Sequence, residues 1–390
     1  MRKWILLLLV LTISGVVSTA TLAQDGGTMD TVFCGDLGAE DCALLEQAQM
    51  AGENVTAAAF DLFVDVQAMD GDQTVPISIV GSGAYSGLLD LGGMTAADSS
   101  AVGSMDHAVT ALRDFNANLI LTITLPADMM EGSDAPTTLT LELRLVDGVG
   151  YINFDELQPI INDPSLSGWG GLDIASLLGA LIEQNPNFLS ELSGMGGMMT
   201  GGVDPMLLAQ LSDPNRMGQY VSITRTDDGA GALATFETTF DLAGFMADPA
   251  MQEMMRGQMN DQAGAMGQGM SDEQLQQMFQ NSRFLVRQQI DTATGLTSSI
   301  SVEFDLGDMG DNNVSMTAMI NYRYDAVPTI DAPEDAAILP YEQLLGMVGG
   351  MMGGQMGGAN ATPVPMMTPT FTPGAGDVTP QVTQEATAAG

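Results

Sequence analysis

The feature that most constrains the fold is a set of three consecutive segments between Arg283 and Asp325 in which apolar and polar residues alternate. A period of two is the spacing at which successive side chains of a β-strand point to opposite faces of a sheet. The segments are separated by a short turn at 292–295 and by a longer loop at 307–313 that is rich in Gly, Asp and Asn. We therefore predict an antiparallel meander with one polar face and one apolar face, which other elements must cover.

Alternation of the same kind occurs earlier in the chain and predicts further strands. They lie at 60–67, 75–85, 119–125, 139–145, 149–154, 219–226 and 232–241. Helical periodicity predicts a helix that begins near Asp41, with this residue as its N-cap. It also predicts helical pieces over 157–192, with an apolar stripe that starts at Leu172.

About eleven strands and several amphipathic helices together predict an α+β fold. We expect a single domain over 24–340, with Met- and Gly-rich inserts near 193–202 and 251–270. The expected architecture is a strongly curved antiparallel sheet, a half-barrel, with helices covering its concave apolar face.

The two ends of the chain differ from this domain in composition. Residues 1–23 contain a charged start, an apolar run and small residues at the end, which is the pattern of a cleaved signal peptide. A retained N-terminal anchor is the alternative interpretation. Residues 341–390 form a Gly/Met run followed by a Thr/Pro-rich stretch, which is typical of a disordered tail. We therefore expect a soluble exported protein, located in the periplasm, at the cell surface or outside the cell.

The charge of the chain excludes two classes of partner. There are 10 Lys and Arg residues against 49 Asp and Glu residues, and the formal net charge is −39. A protein this acidic repels nucleic acid and anionic membrane surfaces. Because the acidic residues are scattered through turns and polar faces, we interpret the charge as a source of solubility rather than as one binding site.

The chain contains two cysteines, Cys34 and Cys42, which follow closely on the predicted signal peptide. In an oxidising compartment, a close pair of this kind predicts one disulfide that closes a small loop. A metal site would need further ligands nearby, and the intervening residues supply none. We therefore predict a structural disulfide.

The sequence contains no catalytic motif. Nucleophile elbow, P-loop and zinc-helix patterns are all absent, and His107 lies in an Ala- and Ser-rich region without a pairing motif. We therefore predict a protein without enzymatic activity, cofactor or metal.

Two metal hypotheses compete with that prediction. Methionine clusters offer thioether ligands for Cu(I), although such sites usually include His or Cys. The clusters are Met195, Met198 and Met199, then Met251, Met254, Met255 and Met259, then Met347, Met351, Met352 and Met356. The loop containing Asp305, Asp308, Asp311 and Asn313 offers oxygen ligands for calcium, but it lacks the EF-hand spacing.

Three short stretches support a resemblance to a known family. They are Asp291–Gly295 between two closing strands, Tyr322–Asp325 followed by Pro328–Pro333, and Asp147–Ile152 in mid-chain. With the order of elements, they resemble the LolA/LolB-like lipoprotein-carrier fold and are similar to the LppX/LprAFG group of exported lipoproteins. The resemblance extends over about 41–335. It departs from the LppX-like pattern because no cysteine stands at the predicted mature start for lipid attachment.

The resemblance implies that a lipid or another apolar molecule binds between the sheet and the helices. The candidate lining residues are Leu119, Leu121, Ile123, Leu141, Leu143, Ile300 and Val302. The 30 methionines would add an adaptable apolar surface. Two alternatives stay open at this point. In the first, the same side chains fill the core of a structural or surface-displayed protein. In the second, the methionines bind copper.

Overall fold

The computed structural model describes residues 32–70, 73–87, 109–126, 137–157, 167–184, 218–229, 231–248, 282–306 and 314–339. Within these ranges the chain forms one twelve-stranded sheet. The strands are β1 Ala57–Asp70, β2 Gln73–Ser86, β3 Asn116–Thr124, β4 Thr138–Val146, β5 Val149–Asn153, β6 Trp169–Asp173, β7 Val221–Arg225, β8 Leu233–Phe240, β9 Arg283–Asp291, β10 Thr297–Asp305, β11 Val314–Arg323 and β12 Ala337–Leu339.

The order of strands across the sheet joins the two halves of the chain. It is β12-β6-β5-β4-β3-β2-β1-β11-β10-β9-β8-β7, so that the first meander and the closing meander meet at the β1–β11 pair. Neighbouring strands are antiparallel, except that β12 runs parallel to β6. The sheet is curved and unclosed, with β7 and β12 as its edge strands.

Three of the helices in the described residues lie on the apolar face, near the two ends of the sheet. They are α1 Ala39–Glu53, α2 Ile174–Gln184 and α3 Leu242–Ala247. The α1 helix packs on β8 and β9, and Phe245 of α3 lies 5.3 Å from Phe240 of β8, measured between ring centroids. At the opposite end, Ile174 of α2 occupies the space where a side chain at Gly150 would lie. The predicted α+β fold, with helices on the concave apolar face of a half-barrel, is confirmed.

Some of the predicted elements are wrong in detail. Leu172 belongs to strand β6 and not to a helix, because the preceding Gly170 and Gly171 allow this segment to pair closely with β5. Neither β6 nor β12 was predicted from the sequence. The α1 helix begins at Ala39 after Gly38, which provides no side-chain cap, so Asp41 is not the N-cap. Asp41 instead lies in the first turn, where a carboxylate interacts favourably with the helix dipole.

The turn at Asp147 and Gly148 explains one of the family-like stretches. Both residues have positive φ angles, 52° and 78°, and together they connect β4 to β5 in a two-residue hairpin. Such turns match the twist of the strands that they join, and glycine adopts the required backbone without strain. A side chain at Gly148 would also meet Ala175 at 2.6 Å, so the turn fits directly against α2.

The turn from Asp291 to Gly295 is fixed by its own side chain. The Asp291 carboxylate accepts hydrogen bonds from the backbone amides of Ala293 and Thr294, both at 2.9 Å. These bonds lower the pKa of Asp291, because they stabilise its charged form. Gly295 has a φ of 74° and lies against Gln47, so the turn contacts α1.

An ion-pair network attaches α1 to the edge strand β7. Arg225 donates to Asp41 of α1 at 2.7 Å and forms two hydrogen bonds of 2.9 Å with Asp227. Asp227 also accepts hydrogen bonds from the backbone amides of Gly229 and Thr235. The hydrogen bonds from Arg225 hold the pKa of Asp227 well below its usual range.

Candidate ligand-binding face

All seven residues predicted to line an apolar site occupy the apolar face of the sheet. Leu119, Leu121 and Ile123 of β3 pair with Leu143, Leu141 and Leu139 of β4, respectively. The strand β10 is separated from β3 by β11, β1 and β2. Its residues Ile300 and Val302 pair with Ile320 and Ala318 of β11. Leu121 and Ile123 are buried, with 3% and 9% of their surface exposed, and the other five are half-buried.

Most of these residues belong to one cluster, which we call the central cluster. Its buried members are Val64, Ile79, Leu121, Ile123 and Ala318, and the half-buried side chains around them are Leu62, Val66, Leu119, Leu125, Leu139, Leu141, Val302 and Met316. Among the described residues, all members lie in strands or directly follow one, and none comes from a helix. The central cluster therefore differs from the cluster under α1, where Leu45 and Ala48 of the helix complete the packing.

Two glycines of β2 shape this face. A Cβ atom at Gly81 would lie 2.7 Å from the side chain of Leu121, and a Cβ atom at Gly83 would lie 2.5 Å from the ring of Phe60. The side chains of the flanking strands β1 and β3 thus lean over β2 from both sides. A strand without side chains at these positions permits the sharp bend that a strongly curved sheet needs.

The strands β2, β3, β4, β9, β10 and β11 carry no charge on this face. In β2 and β3 there is no charged residue at all. The charged residues of β4, β9, β10 and β11 all occupy positions on the polar face. They are Glu142, Arg144, Arg283, Arg287, Asp291, Glu303, Asp305 and Arg323. Because a buried ion is costly without a partner, this face favours uncharged apolar groups.

Aromatic residues form one end of the apolar face. Tyr322 pairs with Phe60 in the β1–β11 ladder, and Tyr85 pairs with the fully buried Ala58. The rings of Tyr322 and Tyr324 are stacked with a centroid distance of 6.2 Å, and Tyr85 stacks on Phe115 at 6.1 Å. Burial raises the pKa of Tyr322 to about 12 and also raises that of Tyr85. Local alternation in the sequence does not indicate this group, which we call the tyrosine end (Tyr85, Tyr322 and Tyr324).

The polar face has a shallow depression, which alternation in the sequence does not indicate. A shallow cavity of about 390 Å³ lies over β1, β2 and β3, and its lining includes Asp61, Ser82, Thr122 and Asn321. Large apolar side chains are exposed around it. They are Phe63, Val80, Ile120 and Met319, with exposed fractions of 37%, 52%, 39% and 37%. Asp61 is paired with Arg323 at 2.6 Å, so the edge of this depression is ionic.

The predicted disulfide between Cys34 and Cys42 is confirmed. Glu46 lies near these two sulfurs, and three such groups could together suggest a metal site. Because both sulfurs are used in the disulfide, they are not thiolate ligands. The loop that the disulfide closes lies beside the edge strand β7, where Gly35 approaches the backbone of Ile223.

Several predicted features lie outside the described residues. They are the signal peptide at 1–23, both Met- and Gly-rich inserts, His107, the methionine clusters, the residues Asp308, Asp311 and Asn313, and the tail at 341–390. In the part of the chain that the structure describes, no helix has the length and apolar character needed to cross a membrane.

Comparisons with known proteins give a structural resemblance only. No family model and no curated protein matches this chain. Among solved structures, it is similar to the crystal structure of LprF from Mycobacterium bovis, with 12% identity, a TM-score of 0.26, and coverage of 76% of this chain and 98% of that one. It is also similar to a beta-barrel-like protein of domain of unknown function DUF1849 from Brucella abortus, with 11% identity, a TM-score of 0.11, and coverage of 70% and 99%. The fold described above rests on its own strand order.

Proposed function

We propose that this protein is an exported, non-enzymatic carrier that binds a lipid or another apolar molecule on the apolar face of its sheet. The observation that carries the proposal is the composition of the central cluster, to which strands contribute and the described helices do not. Apolar side chains from β1, β2, β3, β4, β10 and β11 form a continuous uncharged surface between the helices at the two ends. Ligand sites of this type are concave and predominantly apolar.

Export is supported by two independent features of the N-terminal region. The first 23 residues have the pattern of a signal peptide, and the first described residues contain a disulfide. Disulfides persist in oxidising compartments and are rare in the reducing cytosol. A carrier outside the cytoplasm would shield an apolar ligand from water during transfer, and no catalytic group is required for this role.

The test is a titration of lipid-extracted protein with the fluorescent apolar probe N-phenylnaphthylamine. Leu143→Ser and Ile300→Ser each remove apolar surface from half-buried positions on the apolar face. Losing part of such a contact costs about 1 kcal/mol, so we expect about fivefold weaker binding. Val80→Ser is the matched control, because it makes a similar change at an exposed position on the polar face.

Two results would contradict the proposal. The first is the absence of probe binding by a wild-type protein that retains its cooperative unfolding transition. That result would favour the alternative of a structural protein with a filled core. The second is an equal loss of binding in Val80→Ser, which would place the probe on the polar face.

A further inference from the structure

The tyrosine end brings hydrogen-bonding groups to a face that is otherwise apolar. By register, Tyr85 of β2 lies beside Ala58 of β1, and Tyr322 of β11 lies beside Phe60 of β1. Because Ala58 and Phe60 are two positions apart on β1, Tyr85 and Tyr322 lie on the same face of the sheet, on either side of β1. Tyr324 directly follows β11 and stacks on Tyr322, so the three phenols lie at one end of this face although β2 and β11 are not neighbours in the sheet.

The three hydroxyl groups differ in their partners. Tyr324 donates a hydrogen bond of 2.6 Å to the carbonyl oxygen of Thr297, which holds its ring in place. The ring of Tyr322 is stacked on this anchored ring at an interplanar angle of 15°. In the structure of the described residues, the hydroxyl groups of Tyr85 and Tyr322 form no hydrogen bond. Both residues are half-buried and neither hydroxyl oxygen is among the buried unsatisfied atoms, so the two groups reach solvent and are available to a ligand.

The surroundings restrict the chemistry of that ligand. A phenol donates a hydrogen bond to an oxygen acceptor, such as an ester, ether or hydroxyl oxygen. An anionic acceptor would lie next to an uncharged face in a protein of net charge −39, and no cation on that face of the central strands would balance it. A cationic head group would need several ring faces around it, but Tyr322 and Tyr324 turn one face of each ring toward each other.

We propose that Tyr85 and Tyr322 bind the uncharged, oxygen-bearing end of an amphipathic ligand, with Tyr324 as the positioning residue for Tyr322. The inference rests on the proposed function, because the hydrocarbon part of the same ligand would lie along the central cluster. The class of ligand is therefore an uncharged ester, ether or alcohol with a long apolar chain. Fatty-acid anions and cationic amphiphiles are disfavoured.

The experiment compares four compounds with the same chain length as competitors of N-phenylnaphthylamine. They are dodecane, methyl dodecanoate, dodecanoate and dodecyltrimethylammonium. Two hydrogen bonds between neutral groups are worth about tenfold in affinity. We expect methyl dodecanoate to compete about tenfold better than dodecane with the wild-type protein, and the two charged compounds to compete less well than the ester.

The variant Tyr85→Phe/Tyr322→Phe removes both hydroxyl groups and keeps both rings. We expect it to bind dodecane like the wild type and to lose its preference for the ester. Tyr151→Phe is the matched control, because it removes a hydroxyl group from a buried tyrosine on the polar face, and it should keep the preference. Equal urea midpoints of the variants would exclude an effect through folding.

The possible failures are distinguishable. If the wild type shows no preference for the ester, or if the double variant keeps it, the role of the tyrosines is wrong while apolar binding still stands. Stronger competition by either charged compound would overturn the proposed class of ligand. If neither the probe nor dodecane binds, the proposed function itself is contradicted, and this inference with it.

Discussion

Adding one methyl group at Gly83 tests whether the bend of β2 depends on the absence of a side chain. The new Cβ atom of Gly83→Ala would lie 2.5 Å from the carbonyl oxygen of Asn118 and 2.5 Å from the ring of Phe60. Both distances are far below van der Waals contact, and one of the atoms belongs to the backbone of the neighbouring strand β3. The strands must therefore separate locally, and overpacking of this kind costs about 1–3 kcal/mol.

The same substitution at Gly179 is a matched control, because there we expect alanine to increase the stability of the protein. Gly179 lies inside α2, and the nearest atom to an added Cβ is in Val109 at 3.9 Å, which is an ordinary contact. Alanine in a helix interior is about 0.5–1 kcal/mol more favourable than glycine. Urea unfolding of both variants should therefore give a lower midpoint for Gly83→Ala and a higher one for Gly179→Ala, with unchanged slopes. If Gly83→Ala is as stable as the wild type, the explanation of the bend by close approach over β2 is wrong.

Three further predictions concern the packing and attachment of α1. Phe236→Ala should lower the free energy of unfolding by about 3–5 kcal/mol in urea, because Phe236 is 2% exposed beneath Leu45 and Ala48, whereas Val80→Ala on the polar face should change it little. Cys34→Ser/Cys42→Ser should lower the free energy of unfolding by about 2–3 kcal/mol, because the small loop is released. A reducing agent should lower the free energy of unfolding of the wild type by the same amount and leave that of the variant unchanged. The third prediction concerns pH. The folded-state pKa of Asp227 is below the usual value of 3.8, so its contribution to stability is complete above that pH and is lost as the pH falls further. Calorimetry of Asp227→Asn should thus show a smaller loss of stability below about pH 4 than the wild type, and an identical acid profile would refute the assignment.

The sequence could predict the parts of the fold that depend on local alternation. A spacing of two places the apolar residues of a strand on one face, as in Leu119, Leu121 and Ile123 of β3 and in β10. Pairing in this register then joins the apolar faces of neighbouring strands. Strand β6 could not be predicted in this way, because Gly170 and Gly171 interrupt its pattern. These glycines lie beneath the aromatic rings of Phe154 and Tyr151, so their role becomes visible only in the folded sheet.

The tyrosine end required knowledge of the long-range register. Tyr85 and Tyr322 are far apart in the chain, and they come together because β1 lies between β2 and β11. The attachment of α1 also depends on long-range pairing, because Arg225 of β7 donates a hydrogen bond to Asp41, which is 184 residues away in the sequence. Local periodicity carries no information on which strands become neighbours, and the sequence therefore predicts the apolar face but not the tyrosines at its end.

The central claim is that the apolar face holds an apolar ligand. The most direct measurement is native mass spectrometry of the exported protein, followed by solvent extraction and mass analysis of the released compounds. We expect an additional mass on the folded protein that is released by solvent. We also expect the released compound to be an uncharged molecule with a long apolar chain, and Leu143→Ser/Ile300→Ser to retain less of it than Val80→Ser does. A folded protein with the mass of its polypeptide alone, which also binds no N-phenylnaphthylamine, would contradict the claim.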